Sequence, residues 1–256
     1  MSMLLKNTTN FLVRIAKKID VLLYPHRCPG CNILLESGAD WCTKCRISLM
    51  HAINQRYCPR CASTLGPHQE YQFSTKECPL CKKFSLPLNN ICRLGIYEQA
   101  LSKAIINFKY NHDIYGLNIL AKMLSEIIKE QNWFDEIEAF CPIPAHWTRR
   151  IHRGFNQSAV LAERISAFTS KPVILLLKKV RPTPSQTGLS FAQRKLNIQG
   201  AFEVAGKWNL ASSKICLIDD VMTSGSTLAE AARTLKRAGA KKIFAAVLAR
   251  AERIAS

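Results

Sequence analysis

Two adjacent carboxylates, Asp219 and Asp220, followed by Thr223, Ser224, Gly225, Ser226 and Thr227, form the pattern in this chain best able to do chemistry. Ile215, Cys216, Leu217 and Ile218 precede them as a short apolar run of the kind that forms a buried strand. After them Ala229, Ala232, Leu235 and Ala238 set the face of a helix, and Gly239 closes it. A strand that gives way to small hydroxylated residues and then to a helix start suits an anion. The first helical turn has N–H groups without intrahelical partners and a positive dipole end, and Gly225 lets the backbone come close. Carboxylates repel a phosphate, so their task lies beside it: accepting hydrogen bonds from sugar hydroxyls or steering a hydrated Mg²⁺. A surface turn that caps a helix uses the same residue types. Here strand, acid pair, glycine turn and helix stand in the order a sugar-phosphate site needs.

The second chemical pattern is metal-binding. Four CxxC pairs occur, Cys28/Cys31, Cys42/Cys45, Cys58/Cys61 and Cys78/Cys81, and Pro29, Pro59 and Pro79 stiffen three of them. Each pair can bend into a knuckle that aims two thiolates at one ion, and two knuckles complete a tetrahedral Cys₄ zinc site. Pairing in chain order gives Cys28, Cys31, Cys42 and Cys45 for one Zn²⁺, and Cys58, Cys61, Cys78 and Cys81 for another. That arrangement closes shorter loops than a cross-braced one and is the preferred expectation. His26 and His68 could replace a thiolate, but neither is needed. Cys92, Cys141 and Cys216 stand alone in apolar runs and read as core thiols. No cleavable leader is evident, because Arg14, Lys17 and Lys18 interrupt the first apolar stretch, and no run approaches a membrane span. A reducing cytoplasm is therefore the expected setting, where repeated cysteine pairs mean metal rather than disulfides.

The elements that position these groups fall into three segments. In residues 1–24, Phe11, Ile15, Ile19 and Leu22 fall at helical spacing with a basic opposite face. Such an amphipathic helix packs against its own protein or lies on an anionic membrane. Residues 25–90 carry the cysteine pairs. Residues 91–256 alternate strand and helix signals: strands at 91–97, 137–144, 172–177, 214–219 and 242–249, with helices to about Tyr110 and over 116–131 and 156–169. That alternation predicts a parallel sheet covered on both faces, with ligands at the carboxyl ends of its strands. Asp219 and Asp220 sit at such an end. So does Pro142-Ile143-Pro144, which leads into Arg149, Arg150, His152 and Arg153 and then a helix. Guanidinium forks there suit pyrophosphate, nucleic-acid phosphates or plain solvent exposure.

Charge adds a partner class. The 256 residues are 48% hydrophobic and 21% charged, as in an ordinary globular protein of one or two domains, yet the formal net charge is +18. Two occupied Cys₄ sites, each contributing −2, would lower it to +14. The segment after residue 90 holds 24 Lys and Arg against 13 Asp and Glu, so most of the basic field belongs there. Such a field draws polyanions, and a nucleic acid is the natural second partner; a merely solvated lysine-rich surface is the simpler account.

The acid pair and its loop resemble the PRPP-binding motif of type I phosphoribosyltransferases. That resemblance implies that Asp219 and Asp220, the expected catalytic pair, hold the ribose hydroxyls of phosphoribosyl pyrophosphate (PRPP), with Mg²⁺ accompanying it. Thr223, Ser224, Gly225, Ser226 and Thr227 would wrap the 5′-phosphate, and Arg149, Arg150 and Arg153 would meet the pyrophosphate. Residues 178–200 resemble the family's flexible loop, with Arg181, Thr183, Gln186 and Arg194 as polar contacts. The LLYPHRCPGC opening, the cysteine pairs, Pro142–Pro144, Arg153–Ser158, Arg181–Ser190 and IDDVMTSGST together resemble the ComF (ComFC) competence family. This implies an α/β fold, a phosphoribosyltransferase-type parallel sheet flanked by helices and preceded by a small zinc-ribbon domain. It also implies a role in DNA uptake during natural transformation, handling single-stranded DNA in the cytoplasm with a helicase partner. The alternative is an active phosphoribosyltransferase on a base, nucleotide or amine acceptor.

Overall fold

The computed structural model describes residues 26–36, 38–66, 78, 81, 86–111, 113–145, 154–181 and 191–252. The amphipathic segment 1–24, His68, and Arg149, Arg150, His152 and Arg153 lie outside the described residues, as do Thr183 and Gln186.

The first cysteine knuckle is closed by an Arg27–Leu34 bridge, and Cys42 then caps helix α1 (Thr43–Ile53), its Sγ accepting from the Cys45 amide at 3.4 Å. The second ribbon repeats the knuckle, with a Tyr57–Thr64 bridge and the Cys58 amide donating to the Ser63 carbonyl. The chain then enters strand β1 (Asn90–Ile96), helices α2 (Gln99–Asn111) and α3 (Ile114–Lys129), strand β2 (Ala139–Pro142) and helix α4 (Gln157–Thr169). Strand β3 (Leu177–Lys179), helix α5 (Phe191–Ile198) and strand β4 (Phe202–Val204) follow. Strand β5 (Lys214–Met222), helix α6 (Ser226–Arg237) and strand β6 (Lys242–Arg250) complete the fold.

β1, β6, β5 and β2 lie in that order in one parallel sheet. Its strands are apolar on both faces, as a sheet covered from both sides requires. Cys92, Leu94, Cys216, Ile218, Phe244, Ala246 and Leu248 pack with α2, α3, α4 and the first ribbon. Their neighbours Ile91, Ile215, Leu217, Ile243, Ala245 and Val247 pack with α6, the β3–β4 pair and the second ribbon. Each ribbon is thus built into one face of the sheet. Cys92, Cys141 and Cys216 are buried core thiols, as their apolar surroundings imply.

Two elements differ from the sequence expectation. The run 172–177 makes only a single parallel bridge, Val173 to Phe140; beyond it β3 leaves the main sheet and pairs antiparallel with β4. The expected loop 178–200 contains α5, whose following Gly200 amide donates to the buried Glu230 carboxylate of α6 at 3.0 Å.

Candidate functional site

The site begins with a difference in strand length. β2 ends at Pro142, paired with Ile218, whereas β5 runs on through Asp219, Asp220, Val221 and Met222 against β6 alone. The acid pair therefore lies at an edge where, among the described residues, β5 has no strand partner on the β2 side. There the Asp220 amide turns to Asp219 Oδ1 at 3.0 Å, and Val221 N–H donates to Asp220 Oδ1.

The two carboxylates have different surroundings. Asp219 Oδ1 also accepts from the Ser158 hydroxyl at 2.9 Å, from the first turn of α4. Burial, reinforced by the neighbouring Asp220 charge, pushes the Asp219 carboxyl up to about 7. Asp220 Oδ2 instead meets the Lys109 ammonium of α2 at 2.9 Å, with the side chains only 17% and 14% exposed. Burial pulls that ammonium down, but Asp220 more than reverses the effect and leaves it above the usual lysine range. Asp219 Oδ2 is the carboxylate oxygen of the pair with no partner among the described residues.

The loop after β5 turns at Gly225, whose φ of +75° is left-handed. A Cβ there would lie 2.6 Å from Met222 Cε and 3.1 Å from Leu86 Cδ2, so glycine serves both the turn and the packing beneath it. The Ser224 hydroxyl donates to Ser226 Oγ at 2.9 Å and accepts from the Ser226 amide at 3.3 Å. Gly225 gives α6 no side-chain cap. Thr223, Ser224 and Thr227 are partly exposed beside it, so hydroxyls gather at a helix start, a combination that suits an anion.

Across the acid pair stands the start of α4. Asn156 precedes it without capping it, its amide donating instead to the Ile143 carbonyl at 3.1 Å. Gln157 is buried, and its Nε2 finds no hydrogen-bond partner among the described residues. A cleft of about 280 Å³ opens beside this junction, lined in part by Pro142, Pro144, Asn156, Lys178 and Lys179. Arg181 donates to the carbonyls of Asn197 and Gln199 at the end of α5.

The eight paired cysteines form two groups, Cys28, Cys31, Cys42 and Cys45, and Cys58, Cys61, Cys78 and Cys81, with all sulfurs of a group within 4.8 Å. Pairing in chain order is therefore the arrangement present. The S···S separations of 3.6 Å and 3.7 Å match the edge of about 3.8 Å that a tetrahedron with Zn–S bonds of about 2.3 Å requires. They are far too long for a disulfide. His26 serves neither group and stacks on Tyr115, with ring centroids 4.4 Å apart.

Lys109 carried no signal of its own in the sequence, whereas Gln157 lies within the Arg153–Ser158 stretch. Lys109 looks like any basic residue near a helix end, and only the fold brings it to Asp220. Ser158 closes the RGFNQS stretch, which marked the region but not the hydrogen bond.

A parallel sheet whose acid-bearing strand outruns its neighbour, joined to paired Cys₄ ribbons, defines a phosphoribosyltransferase-type protein with a double zinc ribbon. The Phosphoribosyl transferase domain family matches residues 159–254, and the Double zinc ribbon domain family matches residues 19–82. Competence protein F of Haemophilus influenzae is 30% identical over 200 residues, 76% of this chain and 85% of that protein. Competence protein ComFC of Streptococcus pneumoniae is 27% identical, over 79% of this chain and 84% of its own length. The DNA utilization protein YhgH of Salmonella typhi is 26% identical, over 82% and 96%. The chain belongs to the competence protein F (ComFC) family.

Proposed function

We propose that the protein binds PRPP at the acid pair, binds single-stranded DNA through its basic surface, and acts in DNA uptake during natural transformation. The observation that carries the first part is the overhanging end of β5, where Asp219 and Asp220 stand directly before a left-handed glycine turn and the start of α6. Asp219 Oδ2 is available to a ribose hydroxyl, and Thr223, Ser224, Ser226 and Thr227 surround the place of the 5′-phosphate. Because Lys109 already holds Asp220 Oδ2, the pair offers Mg²⁺ few direct ligands. The residues fit a hydrated ion that arrives with the diphosphate rather than a resident one.

The DNA part rests on the net charge of +18 and on relatives named for competence and for DNA utilization. A helicase partner and a cytoplasmic setting belong to the same proposal. Among the described residues no helix is long and apolar enough to cross a membrane. Calorimetry with PRPP tests the first part: heat with the native chain, and none with Asp219→Asn and Asp220→Asn combined. For the second, fluorescence anisotropy of a labelled oligonucleotide should show affinity falling steeply with salt. Native protein at micromolar concentration that retains no oligonucleotide at low salt rejects DNA binding.

The match of residues 159–254 to phosphoribosyl transferase domains favours a second use of the same site, transfer of the phosphoribosyl group to a base, nucleotide or amine. Asp219 and Asp220 would then be catalytic. Pyrophosphate released from PRPP with a panel of acceptors, and lost in the double Asn variant, would establish it.

A further inference from the structure

Lys109 is placed unlike the other cations near the site. α2 ends beside the acid pair because Phe108 packs on Phe155, their ring centroids 5.5 Å apart, which sets the end of α2 against the start of α4. Lys109 follows Phe108, and Asn156 and Gln157 follow Phe155. One packing contact thus brings an ammonium group, an uncapped helix start and a buried amide with no partner among the described residues to the same side of Asp219 and Asp220. Asp220 is the ammonium's ion-pair partner, and Asp219, close enough to act on it through charge, is its other acidic neighbour.

Resting on the PRPP proposal above, we infer that Lys109 is a ligand-binding residue whose ammonium meets the diphosphate on C1 of the sugar, beside the Gln157 amide. When a ribose hydroxyl donates to Asp220 Oδ2, it competes with Lys109 for that oxygen. The C1 substituent is adjacent to the C2 hydroxyl, so the ammonium needs to move only a short way to exchange a carboxylate oxygen for a diphosphate oxygen. The buried cation keeps a counter-charge in both states: Asp220 before binding and the diphosphate after it. This explains why a lysine, rather than an apolar residue, occupies a nearly buried position on the face of α2 next to Phe108.

The test compares PRPP with ribose 5-phosphate, which carries the same sugar and 5′-phosphate but no diphosphate. By calorimetry, Lys109→Met should bind PRPP about 10- to 100-fold more weakly, the loss of one charge-assisted contact, and ribose 5-phosphate within about threefold of the native chain. Lys109→Arg should recover most of the PRPP affinity. Unchanged melting temperature and zinc content establish that the variants are folded. A second measurement uses the native chain: amine acylation mapped by mass spectrometry should show Lys109 protected by PRPP and not by ribose 5-phosphate. Equal weakening of both ligands, or equal protection by both, overturns the proposal and leaves Lys109 as a prop for Asp220. A native chain that binds neither ligand overturns the PRPP proposal itself, and this inference falls with it.

Discussion

The Arg93 guanidinium, buried in β1, lies 2.6 Å from the Glu252 carboxylate just beyond the end of β6. The same guanidinium donates to the Ala62 carbonyl and Thr64 hydroxyl of the second ribbon, and Glu252 accepts from the Thr64 amide and hydroxyl. A metal knuckle, the first strand and the last strand are thus held at one point. Nearby, Arg250 reaches from Ser63 of the same knuckle to the Met222 carbonyl, where β5 gives way to the glycine turn.

Removing one partner of a buried pair strands the other. Glu252→Gln leaves the Arg93 charge buried, and should lower unfolding free energy by about 3 kcal/mol, the lower end of the range because Glu252 keeps 26% exposure. Urea denaturation measures it. Adding Arg93→Met should restore part of the loss, since no uncompensated charge then remains.

At Gly225 the backbone conformation and the packing act together. Gly225→Ala puts a methyl against Met222 and Leu86 at a positive φ, a cost of about 1–3 kcal/mol. Melting temperature should fall by a few degrees while zinc content stays unchanged. On the PRPP proposal, PRPP affinity should also fall, because Gly225 sits in the loop assigned to the 5′-phosphate.

Two Cys₄ groups predict two zinc ions per chain by elemental analysis. Cys28→Ser and Cys58→Ser should each reduce the content to one. The consequences should differ: the second ribbon carries Ala62, Ser63 and Thr64, which hold Arg93 and Arg250, so Cys58→Ser should also loosen the loop after β5. Hydrogen exchange at residues 222–227 reads this directly.

The Asp219 carboxyl, pushed up to about 7 by burial and by Asp220, sits above its unfolded value of 3.8. A carboxyl raised by folding contributes stability that is complete below the unfolded pKa and lost as pH climbs through the folded one. Asp219's own contribution should therefore be lost between about pH 4 and 7, with a slope of up to about 1.4 kcal/mol per pH unit. Asp219→Asn should flatten that slope in chemical denaturation, relative to the native chain. A variant with the same slope would mean that Asp219 is not the group responsible.

Much of this architecture can be read from short-range pattern. The apolar run before Asp219, the glycine turn and the spaced alanines of α6 are contiguous, and so are the cysteine knuckles. What escaped the sequence is long-range or brief. β3 and β4 have three residues each, too few for a period, and residues 180–201 separate them. Val173 looks like strand but meets Phe140 only once before the chain turns away. β5 was expected to stop at Asp219 because carboxylates are poor strand formers; pairing with β6 carries it on to Met222. Lys109 and Asp220 lie on elements more than a hundred residues apart, and nothing local in either marks the other.

Since β5 outlasts β2, the notch holding the acid pair is cut, among the described residues, by strand length. Its floor is fixed once the sheet has formed. On the PRPP proposal, any preference among sugar phosphates is written into the surrounding walls, where helix ends and loops can vary without touching the floor.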